Sequence, residues 1–216
     1  MHRQLEIATM NQCINNCSVC PQDTYKAAYK GKAMLSYEDF VGALAHVPKT
    51  VEIVFSGFCE PFLNRECIKM IEYASQQGYT VELYTTLVGM TPEEVERLSK
   101  CRISRLFLHL PDNKGIAKIP VTERYIKVLM LAFQKLHFSY IMTMGTGFSS
   151  NGRAGNDKNV KEFHLKGMFG CRKLSTPHFV MLPNCDATLC CMDYGLKHVV
   201  GNLLKSSYEE LMNSPA

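Results

Sequence analysis

Cys13-Ile14-Asn15-Asn16-Cys17-Ser18-Val19-Cys20 places three thiols in one short loop and supplies no fourth metal ligand beside them. A closed structural zinc site takes four protein ligands in a tetrahedron, so this stretch could only be part of one. A cubane iron–sulfur cluster has four irons, and three local thiolates would leave one iron open to a small molecule. Part of a split zinc site and incidental cysteines are the other readings of the same spacing.

Outward from this loop, Leu5 to Met10 reads as a buried first strand that delivers the chain to the cysteines. The stretch with Tyr25, Lys26, Tyr29, Lys30 and Lys32 reads as a polar connection. Ser36 is placed to cap a helix with Asp39 at its third position and Phe40, Leu44 and Val47 on one face, and Pro48 ends it. Val51 to Phe55 is β-branched and aromatic, a second strand. Arg65 to Gln77 has the spacing of an amphipathic helix, with Cys67, Met70, Ile71 and Ala74 inward and Gly78 at its C-terminal cap. Thr80 to Thr85 follows as a strand, and Thr91-Pro92-Glu93-Glu94 is a helix start with cap, proline and returning glutamate in place. Ile103 to Leu110 is the next strand, and Phe138 to Met144 the fifth. Between them Thr122 to Leu136 is a helix that turns Tyr125, Val128, Leu129, Ala132, Phe133 and Leu136 inward.

Such alternation predicts a parallel sheet with right-handed crossovers, open or curved into a barrel. An eight-unit barrel takes about 250 residues, so 216 residues hold only part of one. In parallel sheets chemistry sits at the carboxyl ends of strands, where both the cysteine loop and the loop at Gly57 fall.

Composition narrows the class. The chain carries 10 cysteines, which in a reducing compartment point to metal or redox chemistry. No apolar run approaches the roughly 20 residues that span a bilayer. Near the N-terminus Glu6 interrupts any signal-like stretch, so a cytoplasmic location without membrane contact is expected. A formal charge of +4, with Lys and Arg scattered, gives little support for a nucleic-acid surface. Neither a repeat nor a low-complexity tract is present.

The cysteine loop resembles the CxxxCxxC signature of radical S-adenosylmethionine (SAM) enzymes, with Val19 where an aromatic residue is usual. The resemblance implies an α/β fold of the partial (β/α)6 barrel type, abbreviated, with a small cysteine-rich β-hairpin extension at the C-terminus. It implies a 4Fe-4S cluster on Cys13, Cys17 and Cys20, with SAM bound at the open iron. One electron then cleaves SAM, and a 5′-deoxyadenosyl radical removes a hydrogen atom from substrate. Ser56-Gly57-Phe58-Cys59-Glu60-Pro61 resembles the family's GxGEP motif, which assigns Gly57 and Glu60 to the SAM amino group, although Cys59 replaces the second glycine. Thr85 and Thr86 lie where the family contacts ribose and carboxylate, and His109 where relatives carry a serine facing SAM or substrate. Cys59, close to the expected radical, is a candidate hydrogen donor.

Past Asn151 the chain changes character. Phe179 to Leu182 and Ala187 to Met192 read as short strands around a turn at Asn184 and Cys185. With Arg153-Ala154-Gly155-Asn156, Cys171, Cys190-Cys191-Met192-Asp193-Tyr194, Gly201-Asn202-Leu203 and a closing helix at Tyr208 to Asn213, this part is similar to the SPASM/twitch extension of radical SAM enzymes. The resemblance divides the chain into a core at 1–150 and an extension at 151–216. It implies at most one auxiliary iron–sulfur cluster, on Cys171 and Cys190 with Cys185 and Cys191 as further candidates. Adjacent cysteines in a strand point to opposite faces, so Cys190 and Cys191 reach one cluster only if the strand ends between them. Zinc there, or no metal, stays open.

The expected activity is modification, epimerisation or isomerisation of a peptide or amino-acid-like substrate through C–H abstraction, with electrons from a donor such as flavodoxin or ferredoxin. A nucleotide, a nucleic-acid base or another small molecule is the alternative substrate. A non-catalytic iron–sulfur or zinc-binding module is the alternative of another class.

Overall fold

The structure, a computed structural model, describes residues 3–143, 153 and 178–214. Eight strands form one sheet: β1 (Arg3–Ile7), β2 (Val51–Phe55), β3 (Val81–Thr85), β4 (Arg105–Leu110), β5 (Tyr140–Thr143), β6 (His178–Met181), β7 (Asp186–Thr188) and β8 (Val199–Asn202). Their order across the sheet is β5-β4-β3-β2-β1-β6-β7-β8. The first six run parallel and the last two antiparallel, the architecture expected for a partial barrel with a terminal hairpin. Because β6 pairs with β1, the C-terminal strands continue the sheet of the first five.

Helices follow the strands: α1 (Gln22–Ala28), α2 (Tyr37–Leu44), α3 (Cys67–Gln76), α4 (Pro92–Leu98), α5 (Glu123–Lys135) and α6 (Tyr208–Met212). Their starts obey the capping signals in the sequence. Ser36 Oγ accepts the Asp39 N–H at 3.1 Å, and at α4 the Thr91 and Glu94 side chains each accept the other's backbone N–H. Odd-numbered residues of β1 to β3 (Leu5, Ile7, Ile53, Phe55, Val81, Leu83) face these helices. With Phe40, Met70, Ile71, Val95, Val128 and Ala132 they make the main core. Each such large side chain contributes about 1.5–3 kcal/mol through burial.

Several expectations need correction. β1 stops at Ile7, and Met10 makes only an isolated bridge to Met34. The polar stretch after the cysteines contains α1, which buries Tyr25 completely against Phe58, ring centroids 4.8 Å apart. Phe133 is 49% exposed near the end of α5, where its ring meets that of Phe138 edge to face at 5.6 Å. β7 ends at Thr188, so Cys190 and Cys191 lie in the turn beyond it, and β8 forms where only a motif had been read. At the hairpin turn Cys185 has φ of +65°, in the left-handed region that glycine favours.

The other face of the sheet is polar. Gln4, Glu6, Glu52, Glu82, Arg105 and His178 lie on it, and Glu52 and Glu82 are buried there beside Arg105, which pairs with both. Tyr84, Phe107 and Tyr140 stack across β3, β4 and β5, with centroids 4.2 and 5.3 Å apart. No helix among the described residues is long and apolar enough to cross a membrane.

Candidate functional site at the carboxyl ends of the strands

The cysteine loop is held by its own backbone and by two neighbours. Ser18 N–H donates to the Ile116 carbonyl at 2.7 Å, and Lys118 N–H to the Asn15 carbonyl at 2.6 Å. The partner loop is shaped by Asp112, whose carboxylate accepts the N–H groups of Lys114, Ile116 and Ala117 at 2.7 to 3.1 Å. Asn15 Nδ2 reaches across to Thr86 Oγ1 at 2.9 Å. Asn16 takes φ of +42°, a conformation asparagine tolerates better than most residues, and this lets the loop turn back between Cys13 and Cys17.

Cys13, Cys17 and Cys20 all line one cavity of about 220 Å³. Gly57, Cys59, Glu60, Thr85, Thr86 and His109 line it too, so the structure brings these expected site residues together. Burial pushes the Cys13 thiol up to about 11 and that of Cys17 up to about 12, with the neighbouring thiols adding to the effect on Cys17. Both are therefore neutral thiols at pH 7 unless a positively charged group draws off their protons. Among the described residues the three sulfurs do not fall within 4.8 Å of one another. Thiolates on one zinc, at about 2.3 Å in a tetrahedron, lie about 3.8 Å apart, closer than the three sulfurs all are to one another here.

Opposite the trio is the loop after β2. Gly57 has φ of +73° and lies so close to Ala8 that a Cβ would come within 2.8 Å of the Ala8 backbone. Cys59 Sγ accepts the Met10 N–H at 3.3 Å and lies 3.4 Å from Thr9 Oγ1, and burial pushes its thiol up to about 12. Glu60 is buried and accepts from Thr85 Oγ1 at 2.6 Å and from both the N–H and the hydroxyl of Thr86 at 2.7 Å. Burial still raises its pKa, although these bonds and one from the Phe62 backbone pull the other way. Its acceptor sites are largely engaged by the chain, so Glu60 fixes the two threonines and sets an acidic group in the cavity wall. His109 lies 6.2 Å from the Tyr84 ring, and burial holds its pKa below the usual value of 6.5.

Lining residues that sequence reasoning did not assign to the site include Glu6, Asn15, Gln22, Phe58, Tyr84, Arg153 and Tyr194. Glu6 and Tyr84 could have been found by period-two reading of their strands, since each alternates with core residues. Tyr194 comes from the turn after β7, packs on Phe58 at 4.6 Å, and accepts from the Cys20 thiol at 3.8 Å. Arg153 sits with its guanidinium 6.0 Å from the Tyr194 ring. The C-terminal cysteines separate: Cys185 is fully buried in the main core with its thiol donating to the Asp39 carbonyl at 3.7 Å, whereas Cys191 lines the cavity. Cys190 Sγ accepts the Met192 N–H at 3.4 Å. Cys171 lies outside the described residues.

A parallel α/β sheet whose first strand leads into a three-thiol loop, with an acidic and hydroxyl-bearing wall facing it, offers thiol ligands to a metal or cluster at the carboxyl ends of the strands. The family described as the Radical SAM superfamily matches residues 7–153, and the chain belongs to that superfamily. No curated protein matches. Among solved structures, BtrN in complex with AdoMet and 2-DOIA superposes with a TM-score of 0.75 at 14% identity, covering 100% of this chain and 83% of that one. Native anSMEcpe with bound AdoMet gives 0.61 at 12% identity, covering 98% and 80%. Streptococcus suis SuiB bound to precursor peptide SuiA gives 0.56 at 12%, covering 100% and 65%. At these identities the likeness is one of fold. Membership of the superfamily implies an enzyme that uses a 4Fe-4S cluster and SAM, and the three thiols of the loop line one cavity.

Proposed function

We propose that Cys13, Cys17 and Cys20 hold a 4Fe-4S cluster with one open iron, and that Gly57, Glu60, Thr85, Thr86 and His109 form the SAM side of the cavity. The observation that carries this reading is the convergence of all eight residues on one cavity at the carboxyl ends of the parallel strands. When bound, the cluster and SAM supply a 5′-deoxyadenosyl radical that abstracts a hydrogen atom from substrate. The chain's part is to bind and orient. Glu60 sets an acidic group where an ammonium would sit, the left-handed turn at Gly57 brings backbone close to it, and Phe58, Tyr84 and Tyr194 wall the cavity. Cys59 is the candidate hydrogen donor, its high pKa keeping the sulfur protonated at neutral pH.

The substrate we propose is a peptide or amino-acid-like molecule, modified, epimerised or isomerised, with electrons from a flavodoxin or ferredoxin. The support is that SuiB was solved with its precursor peptide and anSMEcpe with a Cp18Cys peptide. A small-molecule substrate is the second reading, favoured by the higher fold similarity to BtrN, solved with 2-DOIA. Residues 151–216 we read as a SPASM/twitch-like extension, with Cys171 and Cys190 as ligands of an auxiliary cluster. That assignment rests on their spacing in the sequence.

Anaerobic reconstitution with iron and sulfide, followed by dithionite and SAM, tests the core reading. Cluster absorption and 5′-deoxyadenosine are expected from the native chain and neither from the variant with Cys13, Cys17 and Cys20 all changed to Ala. A native chain that takes up the cluster yet leaves SAM intact is a binding module.

A further inference from the structure

Two side chains from distant parts of the chain meet the sulfur of Cys20. Gln22 Nε2 donates to Cys20 Sγ at 3.6 Å, and the Tyr194 hydroxyl oxygen lies 3.8 Å from the same atom. Further contacts hold both in place. Gln22 is the first residue of α1, and its backbone N–H donates to the Cys20 carbonyl at 2.8 Å, which turns the start of the helix back over the cysteine. Its Nε2 also donates to the Phe58 carbonyl. A carbonyl can only accept, so the amide cannot be flipped, and Gln22 Oε1 is left without a hydrogen-bond partner among the described residues. The nitrogen is thereby kept at the sulfur.

Tyr194 is fixed through its ring and through its turn. The ring packs on Phe58, which packs in turn on Tyr25, with centroids 4.6 and 4.8 Å apart. Next to it Asp193 ties the turn, its carboxylate accepting Thr188 Oγ1 and the N–H groups of Lys197 and His198 at 2.8 to 3.0 Å. Gln22, Phe58 and Tyr194 are each at most 5% exposed, so water does not compete for these groups.

Ligation to iron reverses one of the two bonds. A free Cys20 thiol donates its proton to the Tyr194 oxygen, but a thiolate has none to give and can only accept. Among the described residues Cys20 is the one hydrogen-bond partner of the Tyr194 hydroxyl, so the tyrosine proton turns to the sulfur. Two donors then serve one ligand atom. Reduction adds negative charge to a cluster held by three thiolates, in a cavity walled also by Glu6 and Glu60. Hydrogen bonds to a ligating sulfur strengthen as its electron density rises, and so favour the reduced form.

We propose that Gln22 and Tyr194 set the reduction potential of the cluster through Cys20, holding it above the value that the buried, acidic cavity would impose alone. This rests on the cluster reading given above and adds two positioning residues to it, both acting through a cysteine rather than on substrate. Because Tyr194 arrives from the turn after β7, the C-terminal hairpin takes part in electron uptake by the core.

The test is a redox titration of the reconstituted protein without SAM, followed by electron paramagnetic resonance, with iron counted per chain. Tyr194→Phe keeps the ring against Phe58 and removes only the O–H, and Gln22→Met keeps the side-chain length without its N–H groups. Each should make reduction about threefold less favourable at native iron content, the lower end of what one hydrogen bond is worth. Together they should reach about tenfold, a fall of about 59 mV for a one-electron couple. The reduced native protein should also show cluster-coupled protons that exchange in D2O, one of them missing from Tyr194→Phe. Equal potentials at native iron content, a shift in the opposite direction, or no exchangeable coupled proton in the native protein overturns the proposal. The last measurement needs no variant and decides the matter even where a substitution prevents cluster uptake. A native chain that takes up no cluster overturns the cluster reading and this proposal with it, whereas equal potentials overturn this proposal alone.

Discussion

Asn15 and Thr86, 71 residues apart, are joined by one hydrogen bond of 2.9 Å that ties the cysteine loop to the end of β3. The same Thr86 hydroxyl donates to Glu60 at 2.7 Å, so a single oxygen links the two walls of the cavity. Thr86→Val keeps the shape and removes both bonds, leaving Asn15 Nδ2 without this acceptor in a buried place. We expect a loss of about 1–3 kcal/mol in chemical denaturation and faster loss of iron to a chelator. Unchanged iron release would mean that the cysteine loop is held by its contacts to the 112–118 loop alone.

Glu60→Gln tests the acidic wall. The amide keeps the volume but turns an NH2 group toward the Thr85 and Thr86 donors, and it carries no charge for an ammonium. SAM affinity measured by calorimetry should fall about tenfold or more, the scale of one charge-assisted hydrogen bond, while the iron content stays at the native level. Equal affinity would show that the amino group of SAM is received elsewhere.

At Gly57 two constraints act together: a left-handed backbone and the Ala8 main chain 2.8 Å from the place of a Cβ. Gly57→Ala must shift one strand end against another and disturb the bond from Gly57 to Glu6. Left-handed strain of about 1–2 kcal/mol adds to overpacking of about 1–3 kcal/mol. Denaturation midpoints should fall accordingly, and a stability within 0.5 kcal/mol of native, roughly the range of a neutral surface change, would contradict the packing described.

Acid should loosen the cysteine loop through Asp112. Partial burial pushes its pKa up, but the backbone N–H groups of Ile116, Ala117 and Lys114 more than offset this and hold the folded value below the ordinary 3.8. The sign follows: the stabilisation is full above pH 3.8 and disappears as pH falls through the lower folded value. In the cluster-free protein, hydrogen exchange of the Ser18 and Lys118 amides should therefore lose protection in that acid range, after correction for intrinsic rates. Asp112→Asn should show reduced protection already at pH 7. Matching protection in the two proteins at pH 7 would remove Asp112 from this role.

Much of this could be read in advance because the signals are local. Cap residues at Ser36 and Thr91 fix two helix starts, and alternation of strands and helices fixes the sheet's direction. What escaped depends on contacts far apart in sequence. Glu6, Glu52 and Glu82 look like surface positions by chemistry, yet all three are buried on the sheet's second face, where Arg105 and His178 supply the partners that make their burial tolerable. The helix α1 escaped because Lys26 within it, and Lys30 and Lys32 after it, hide the spacing of Tyr25 and the C-cap residue Tyr29, both buried. Tyr194 reaches the site only because β6 returns to lie beside β1, a pairing no local pattern encodes.

That return also sets an order of assembly. Gln4 and its neighbour across the sheet, His178, are 174 residues apart, so at ribosomal speeds of about 5–20 residues per second roughly 9–35 s separate their synthesis. Through that interval the central strand has a neighbour on one side only, and the thiols it carries lack the wall that Tyr194 completes. Such distant pairing makes for slow folding, and insertion of any oxygen-sensitive inorganic group belongs after translation has passed β6.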